Sequence, residues 1–152
     1  MTVGDAQAVV RQRALFTNPV GICQAALPAF EGQIRKRPLA IQNEGTSNAF
    51  VTCAFTSQAE ATSVVMYFAG FDNLAHGVTC TGVTGFNRGL NQFVTKTVTL
   101  PASDSSSLAW SPADFAGGSS TFPDARFSVS CNLAPGVGIN DAGIAFNEDV
   151  GA

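Results

Sequence analysis

The amino-acid sequence predicts an all-β protein, an antiparallel β-sandwich with two disulfides. Three observations carry that expectation. First, Val51-Thr52-Cys53, Val78-Thr79-Cys80 and Val129-Ser130-Cys131 repeat nearly the same phrase, each inside a run of β-formers. Residues two apart share a face of a strand, so valine and cysteine point one way and the hydroxyl residue points the other. Second, eight or nine short strand-like runs alternate with turn residues at roughly 8–12-residue spacing, which is the pattern of a sandwich. Third, Cys23, Cys53, Cys80 and Cys131 are even in number, well separated and free of any Cys-x-x-Cys pair. That usage favours disulfides over a zinc site. Two topologies fit the pattern: immunoglobulin-like, taken first, and jelly roll, taken second.

The elements follow in order. Thr2 to Phe16 is the one stretch with helical character, since Ala6, Val9, Val10 and Arg13 share a helical face. Residues 1–18 therefore read as an arm or short helix, ended by Asn18-Pro19, and residues 19–152 as a single β domain. Val20 to Ala25 carries Cys23. Arg37-Pro38 opens an extended run through Gln42. Ala49 to Thr56 is a strong strand, closed by a polar turn. In Ser63 to Phe68, Val64, Met66 and Phe68 form one face and Val65 and Tyr67 the other. Gly77 to Val83 follows. In Phe93 to Leu100, Thr95, Thr97 and Thr99 share a face opposite Val94, Lys96, Val98 and Leu100. That threonine face either lies in water or lines a ligand surface.

Pro101 to Ser107 reads as a serine-rich loop, Leu108 to Trp110 as an apolar patch, and Ser111-Pro112 as a one-turn helix start. Gly117 to Ser120 reads as a flexible link. Phe127, Val129, Cys131 and Leu133 face inward on the strand before Pro135-Gly136. The last strand, Ile139 to Phe146, is interrupted at Asp141-Ala142-Gly143 by a bulge.

Four cysteines allow three pairings. We expect Cys23–Cys53, joining the opening strand to the next core strand. We expect Cys80–Cys131 because the phases of the two strands match, so both thiols enter the same core. Each closed loop adds about 3–4 kcal/mol by restricting the unfolded chain.

Composition narrows the function classes. Charged residues make up 12% of the 152-residue chain, against about 25% in an ordinary soluble domain. A surface so poor in charge resists self-association weakly. Eight Lys and Arg, with a net charge of −3, cannot build the basic face that nucleic acid requires. No run approaches the ~20 apolar residues of a membrane span. The first residues lack the basic start and apolar core of a signal peptide. The expectation is a mature secreted form, extracellular or at the cell surface, with a start methionine supplied.

Several phrases occur together: Cys23-Gln24, Ile34-Arg35-Lys36-Arg37-Pro38-Leu39, Asn43-Glu44-Gly45, Phe50-Val51-Thr52-Cys53, Gly77-Val78-Thr79-Cys80, and Phe127 to Leu133 followed by Pro135-Gly136. With them the chain resembles a group of small secreted disulfide-containing β proteins of Gram-negative bacteria, over most of its length after Cys23. The resemblance implies export and a disulfide-linked β fold. It implies no activity, so no functional residue is carried over from it.

Catalytic constellations are weak. His76 is the single imidazole and opens a strand as an ordinary edge residue would; no Gly-x-Ser-x-Gly elbow accompanies it. The carboxylates sit in turns with no spacing that argues for a pair. No enzyme activity and no cofactor are expected. Calcium is the one ion with candidate ligands, at Asp72-Asn73, Asn140-Asp141 and Asn147-Glu148-Asp149, none in a recognised loop pattern. Two candidate binding features stand out. Arg35-Lys36-Arg37 is a cation cluster in a charge-poor chain, suited to an acidic polysaccharide, lipid headgroup or acidic partner, or else to protecting an edge strand. Trp110 lies beside polar loops, where it either faces a ligand or packs in the core.

The first functional reading is a non-catalytic extracellular structural, adhesive or binding module. It would self-assemble as a homo-oligomer through edge strands and exposed Phe86, Phe93, Phe115 and Phe122, or bind another extracellular macromolecule. The alternative is a secreted inhibitor or effector that grips a partner through the segment Pro101 to Pro123.

Overall fold

The computed structural model describes residues 8–89, 91–115, 117 and 119–151. Among them run eleven strands: β1 (Val10–Thr17), β2 (Cys23–Ala25), β3 (Ile34–Arg37), β4 (Ala40–Asn43), β5 (Ala49–Ala54), β6 (Ala61–Gly70), β7 (His76–Gly85), β8 (Asn91–Leu100), β9 (Ser105–Trp110), β10 (Phe127–Leu133) and β11 (Val137–Asp149). Two one-turn helices, α1 (Pro19–Ile22) and α2 (Pro28–Glu31), flank β2, and a 3₁₀ turn spans Pro112–Asp114. No helix among the described residues is long and apolar enough to cross a membrane.

The strands form an antiparallel β-sandwich. One sheet has the order β3-β4-β11-β6-β9, with β1 also paired to β11; the other has the order β2-β5-β10-β7-β8. From β4 onward, only the β7–β8 connection stays within one sheet, and every other connection crosses to the opposite sheet. This is jelly-roll order, the second of the two expected topologies, and not the immunoglobulin order. Period-two alternation places residues inside or outside but is the same for both topologies; which strands pair is decided by long-range backbone bonding.

The core lies between the sheets. Its fully buried large side chains include Trp110, Phe68, Ile41, Met66, Leu100, Leu133 and Ile139. Aromatic rings close one end: Phe127 packs on Phe122 at 4.8 Å, Phe115 at 5.9 Å and Trp110 at 6.3 Å between centroids. Phe115 and Phe122, expected as exposed interface residues, are only 4% and 6% exposed and belong to this cluster. Half of the apolar surface proposed for self-association is therefore interior. Phe86 and Phe93 are exposed as expected.

The cysteines are joined Cys23–Cys53 and Cys80–Cys131. In both pairs the two residues stand directly opposite each other on neighbouring strands, β2 with β5 and β7 with β10. Both bridges therefore staple the five-stranded sheet; neither spans the two sheets. The short β2 gains most, since only three residues pair it to β5.

Three local expectations are corrected. The N-terminal segment is a strand from Val10, not a helix; its first seven residues, Ala6 included, lie outside the described ones. β11 outruns β4, which pairs only at Gly138 and Ile139, so the edge from Ala142 to Asp149 is open and β1 fills it with eight paired residues. Backbone pairing outweighs a slight helical preference. The supposed serine-rich loop becomes β9, because β6 offers Ser105 to Trp110 a six-residue ladder. Within the segment Pro101 to Pro123, Ser105–Trp110 is thus a strand and Pro112–Asp114 a 3₁₀ turn; Ala116 and Gly118 lie outside the described residues. The bulge in β11 falls one residue earlier than expected. Pairing with β6 passes from Ile139 to Asp141, which makes Asn140 the inserted residue.

Candidate functional face

The outward side of the five-stranded sheet is built from the hydroxyl residues that alternate with the cysteines and valines. Because Cys53, Cys80 and Cys131 face the core, Thr52, Thr79, Thr81 and Ser130 face out. Register aligns them across the strands. One row runs Gln24, Thr52, Ser130, Thr81, Thr95 from β2 to β8. A second runs Phe50, Asn132, Thr79, Thr97, and a third Ala54, Ser128, Val83, Phe93. Thr99 extends the edge of β8. With strands about 4.8 Å apart, the first row is about 19 Å long.

No residue in these rows carries a charge. Thr79 and Thr97 hydroxyls are 2.9 Å apart, and those of Thr81 and Thr95 are 2.8 Å apart, so each pair is held in place while keeping spare donor and acceptor capacity. The Oδ1 of Asn132 is buried without a hydrogen-bond partner, which is uncommon enough to need an explanation. Phe50 and Phe93 rise from opposite ends of the face, 44% and 63% exposed. Phe50 leans on Phe30 of α2, with centroids 6.2 Å apart.

A groove lies at each end. One, of about 320 Å³, is lined by Gln24, Ala25, Glu31, Ile34 and Lys36. The other, of about 210 Å³, is lined by Val83, Gly85, Phe86, Asn87, Asn91 and Phe93. Gln24 and Phe93 each belong to a row and to a groove, so the face and its two ends are continuous.

The residues singled out in the sequence meet different fates. Lys36 lines the first groove. Arg37 is spent on Glu44, with Nε and Nη2 each 2.7 Å from a carboxylate oxygen, and Gln42 donates to the same carboxylate at 2.6 Å. Arg35 donates to the backbone carbonyls of Glu31 and Ile34. Trp110 is a correction: it is 0% exposed and lies on the opposite sheet, facing the core, so it meets no ligand. Its indole N–H donates to the Val94 carbonyl at 2.9 Å. It reaches that carbonyl across Gly82, where a Cβ would stand 2.7 Å from the indole nitrogen. The serine and glycine around Trp110 mislead because they border a strand whose next pairing partner, β6, is distant in sequence. Gln24, Phe50 and Asn132 went unnoticed because their only signal is strand parity, which carries no chemistry until neighbours are known.

His76 Nε2 sits 2.8 and 3.0 Å from the two oxygens of Asp72. Among the described residues no serine hydroxyl bonds to this pair, which instead clips the β6–β7 connection. The candidate calcium carboxylates are occupied locally: Asp72 by His76, Asp141 by the Ala142 N–H, Glu148 by Arg13, and Asp149 by the Gly151 N–H. Among the described residues, no three His, Cys, Asp or Glu side chains gather as a metal site.

Several carboxyls are held below their ordinary values by these bonds. Side-chain donation from Arg126, then its backbone N–H, brings Asp124 from 3.8 to about 2. Donation by His76 lowers Asp72, and donation by Arg37 and then Gln42 lowers Glu44 from 4.5. For Asp114 burial pulls upward, but Lys96 and the Ser111 N–H outweigh it and the carboxyl falls below 3.8. A carboxyl whose value is lower folded than unfolded stabilises the fold above its unfolded value and loses that contribution as pH falls through its folded one. The urea midpoint is thus expected to decline between about 4.5 and about 2. Asp124→Asn should flatten the lower end of that decline; an unchanged profile in the variant would contradict the assignment.

No family model matches the chain, and no curated protein matches it. Solved structures do. The chain is similar to part of an exo-β-1,3-galactanase from Phanerochaete chrysosporium, with a TM-score of 0.50 and 13% identity over 87% of this chain and 29% of that one. It is similar to a family 11 carbohydrate-binding module from Clostridium thermocellum, with a TM-score of 0.47 and 8% identity over 94% and 89% of the two chains. It is also similar to a carbohydrate-binding module in complex with β-1,4-galactotriose, with a TM-score of 0.42 and 11% identity over 91% and 88%. At these identities the likeness is one of fold.

Proposed function

We propose that this protein is a non-catalytic, extracellular binding module whose ligand is a polysaccharide lying along the outward face of the five-stranded sheet. The observation that carries this reading is the face itself: three aligned rows with no charge, two of them almost wholly Thr, Ser, Asn and Gln and the third made of Ala54, Ser128, Val83 and Phe93, with an exposed phenylalanine at each end. A sugar polymer presents alternating hydroxyl edges and apolar C–H faces. Hydroxyl and amide side chains donate and accept, so they match the edges; aromatic rings match the apolar faces. Two disulfides suit the oxidising setting in which such a module works.

The test is calorimetry and affinity electrophoresis with soluble neutral β-galactan, mixed-linkage β-glucan and mannan as probes. At least one should bind. Phe93→Ala, and separately Thr81→Val with Thr95→Val, should each weaken that binding by about tenfold while leaving the unfolding midpoint in place. Absence of binding to every probe, or binding that ignores both changes, would sink the reading.

A further inference from the structure

The cation cluster and the hydroxyl face meet at Gln24. This residue begins the longest row of the face and also lines the groove of about 320 Å³ between β2, α2 and β3. The three cations beside that groove are not equivalent. Arg37 already holds Glu44 in a two-point pair. Arg35 occupies itself with two backbone carbonyls. Parity in β3 puts Lys36 on the same side as Ile34, and so in the groove. Glu31 stands on another wall. Among the described residues, neither the Lys36 ammonium nor the Glu31 carboxylate has an ion-pair partner.

We propose that this groove binds a uronic acid unit of the polysaccharide that lies on the face, an inference that rests on the reading above and makes it specific. The lining selects for that chemistry. Lys36 calls for an anion. Glu31 accepts hydrogen bonds and repels a second negative charge, which disfavours a dianionic phosphate and favours a single carboxylate flanked by hydroxyls. Gln24 both donates and accepts, matching the ring hydroxyls. Ala25 and Ile34 supply an apolar floor for the C–H face of the ring. A neutral sugar would leave Lys36 unmatched. The net charge of −3 makes general attraction of polyanions unfavourable, so a preference for uronate must come from the groove.

The experiment compares soluble polygalacturonate with neutral β-galactan by calorimetry at low and at physiological salt. Wild-type protein is expected to bind polygalacturonate about tenfold more tightly, the scale of one charge-assisted contact. Lys36→Ala should bring the two polymers to equal affinity, and Lys36→Arg should keep most of the preference. Glu31→Ala at physiological salt, where the charge effect is screened, is the sharper control. If Glu31 accepts sugar hydroxyls, loss of the acceptor weakens polygalacturonate binding; if the groove acts only as a positive field, removing a negative charge strengthens it, and the proposal fails. Galactan binding without any preference for polygalacturonate would overturn the groove while leaving the face standing. Loss of response to the Phe93 and Thr81/Thr95 changes would instead remove the face. All substitutions lie at exposed or half-exposed positions, and unchanged unfolding midpoints verify the fold of each variant.

Discussion

Trp110→Ala is expected to destabilise the protein by about 3–5 kcal/mol, the range for emptying a fully buried large aromatic site. Trp110 is completely buried, packs on Phe127, and sends its N–H to the Val94 carbonyl. With the Lys96 ammonium, which donates to the Ala109 carbonyl, it bridges β9 of one sheet and β8 of the other. Truncation removes the indole volume, and Gly82 has no side chain with which to fill the space. It also removes the donor from the Val94 carbonyl. Urea unfolding followed by circular dichroism measures the effect. Trp110→Phe should lose less, because a ring still fills much of the cavity. The result separates two roles sharply. A ligand-stacking tryptophan would lower affinity and leave the unfolding midpoint alone; Trp110 should do the reverse under conditions where the variant is folded.

Replacing Cys80 and Cys131 together by alanine is expected to cost about 4 kcal/mol, from the entropy released to an unfolded chain no longer closed over their separation of 51 residues. The Cys23–Cys53 pair closes 30 residues and should cost slightly less. Whole domains are stable by only about 5–15 kcal/mol, so reduction of both bridges should bring the chain close to unfolding at ambient temperature. Denaturant titration of the oxidised protein, the two paired variants and the reduced, alkylated chain provides the comparison. A midpoint unmoved by reduction would mean the strands hold their register unaided. The Cys80–Cys131 bridge matters beyond stability. It lies directly beneath the β7–β10 ladder whose outward residues are Ser130 with Thr81 and Asn132 with Thr79. The polysaccharide affinity proposed for this face should therefore fall in the Cys80/Cys131 variant even where it is still folded.

These two expectations differ in how much of them could be read in advance. Phase turned the thiols of β5, β7 and β10 inward with the neighbouring valines and so favoured core disulfides, and the same alternation turned Thr79, Thr81 and Ser130 outward; which thiols meet was settled by strand pairing. Such patterns are local, since a side chain two residues along a strand returns to the same face whatever the fold. The role of Trp110 was not local. Its immediate neighbours, Ala109 and Ser111, are small, and its environment comes from Gly82, Val94 and Phe127, which lie 16 to 28 positions away.

The same division runs through the candidate site. Thr95, Thr97 and Thr99 were legible as a hydroxyl face on one strand, and Arg35, Lys36 and Arg37 as a cation cluster. Their sorting into one engaged arginine, one arginine on backbone carbonyls and one lysine in a groove needed Glu44 and Glu31 in place.

By itself, then, the sequence determined the class of the fold and the inward and outward sides of its strands, both from period-two alternation between turns, and it favoured one cysteine pairing among three. Only the tertiary structure decided the jelly-roll order, the strand identity of Val10–Thr17 and Ser105–Trp110, the burial of Trp110, and the joining of hydroxyls from β5, β7, β8 and β10 into one surface ending at Lys36. Each depends on which strands share hydrogen bonds, and that choice is made between segments far apart in the chain, where alternation is the same for every competing order.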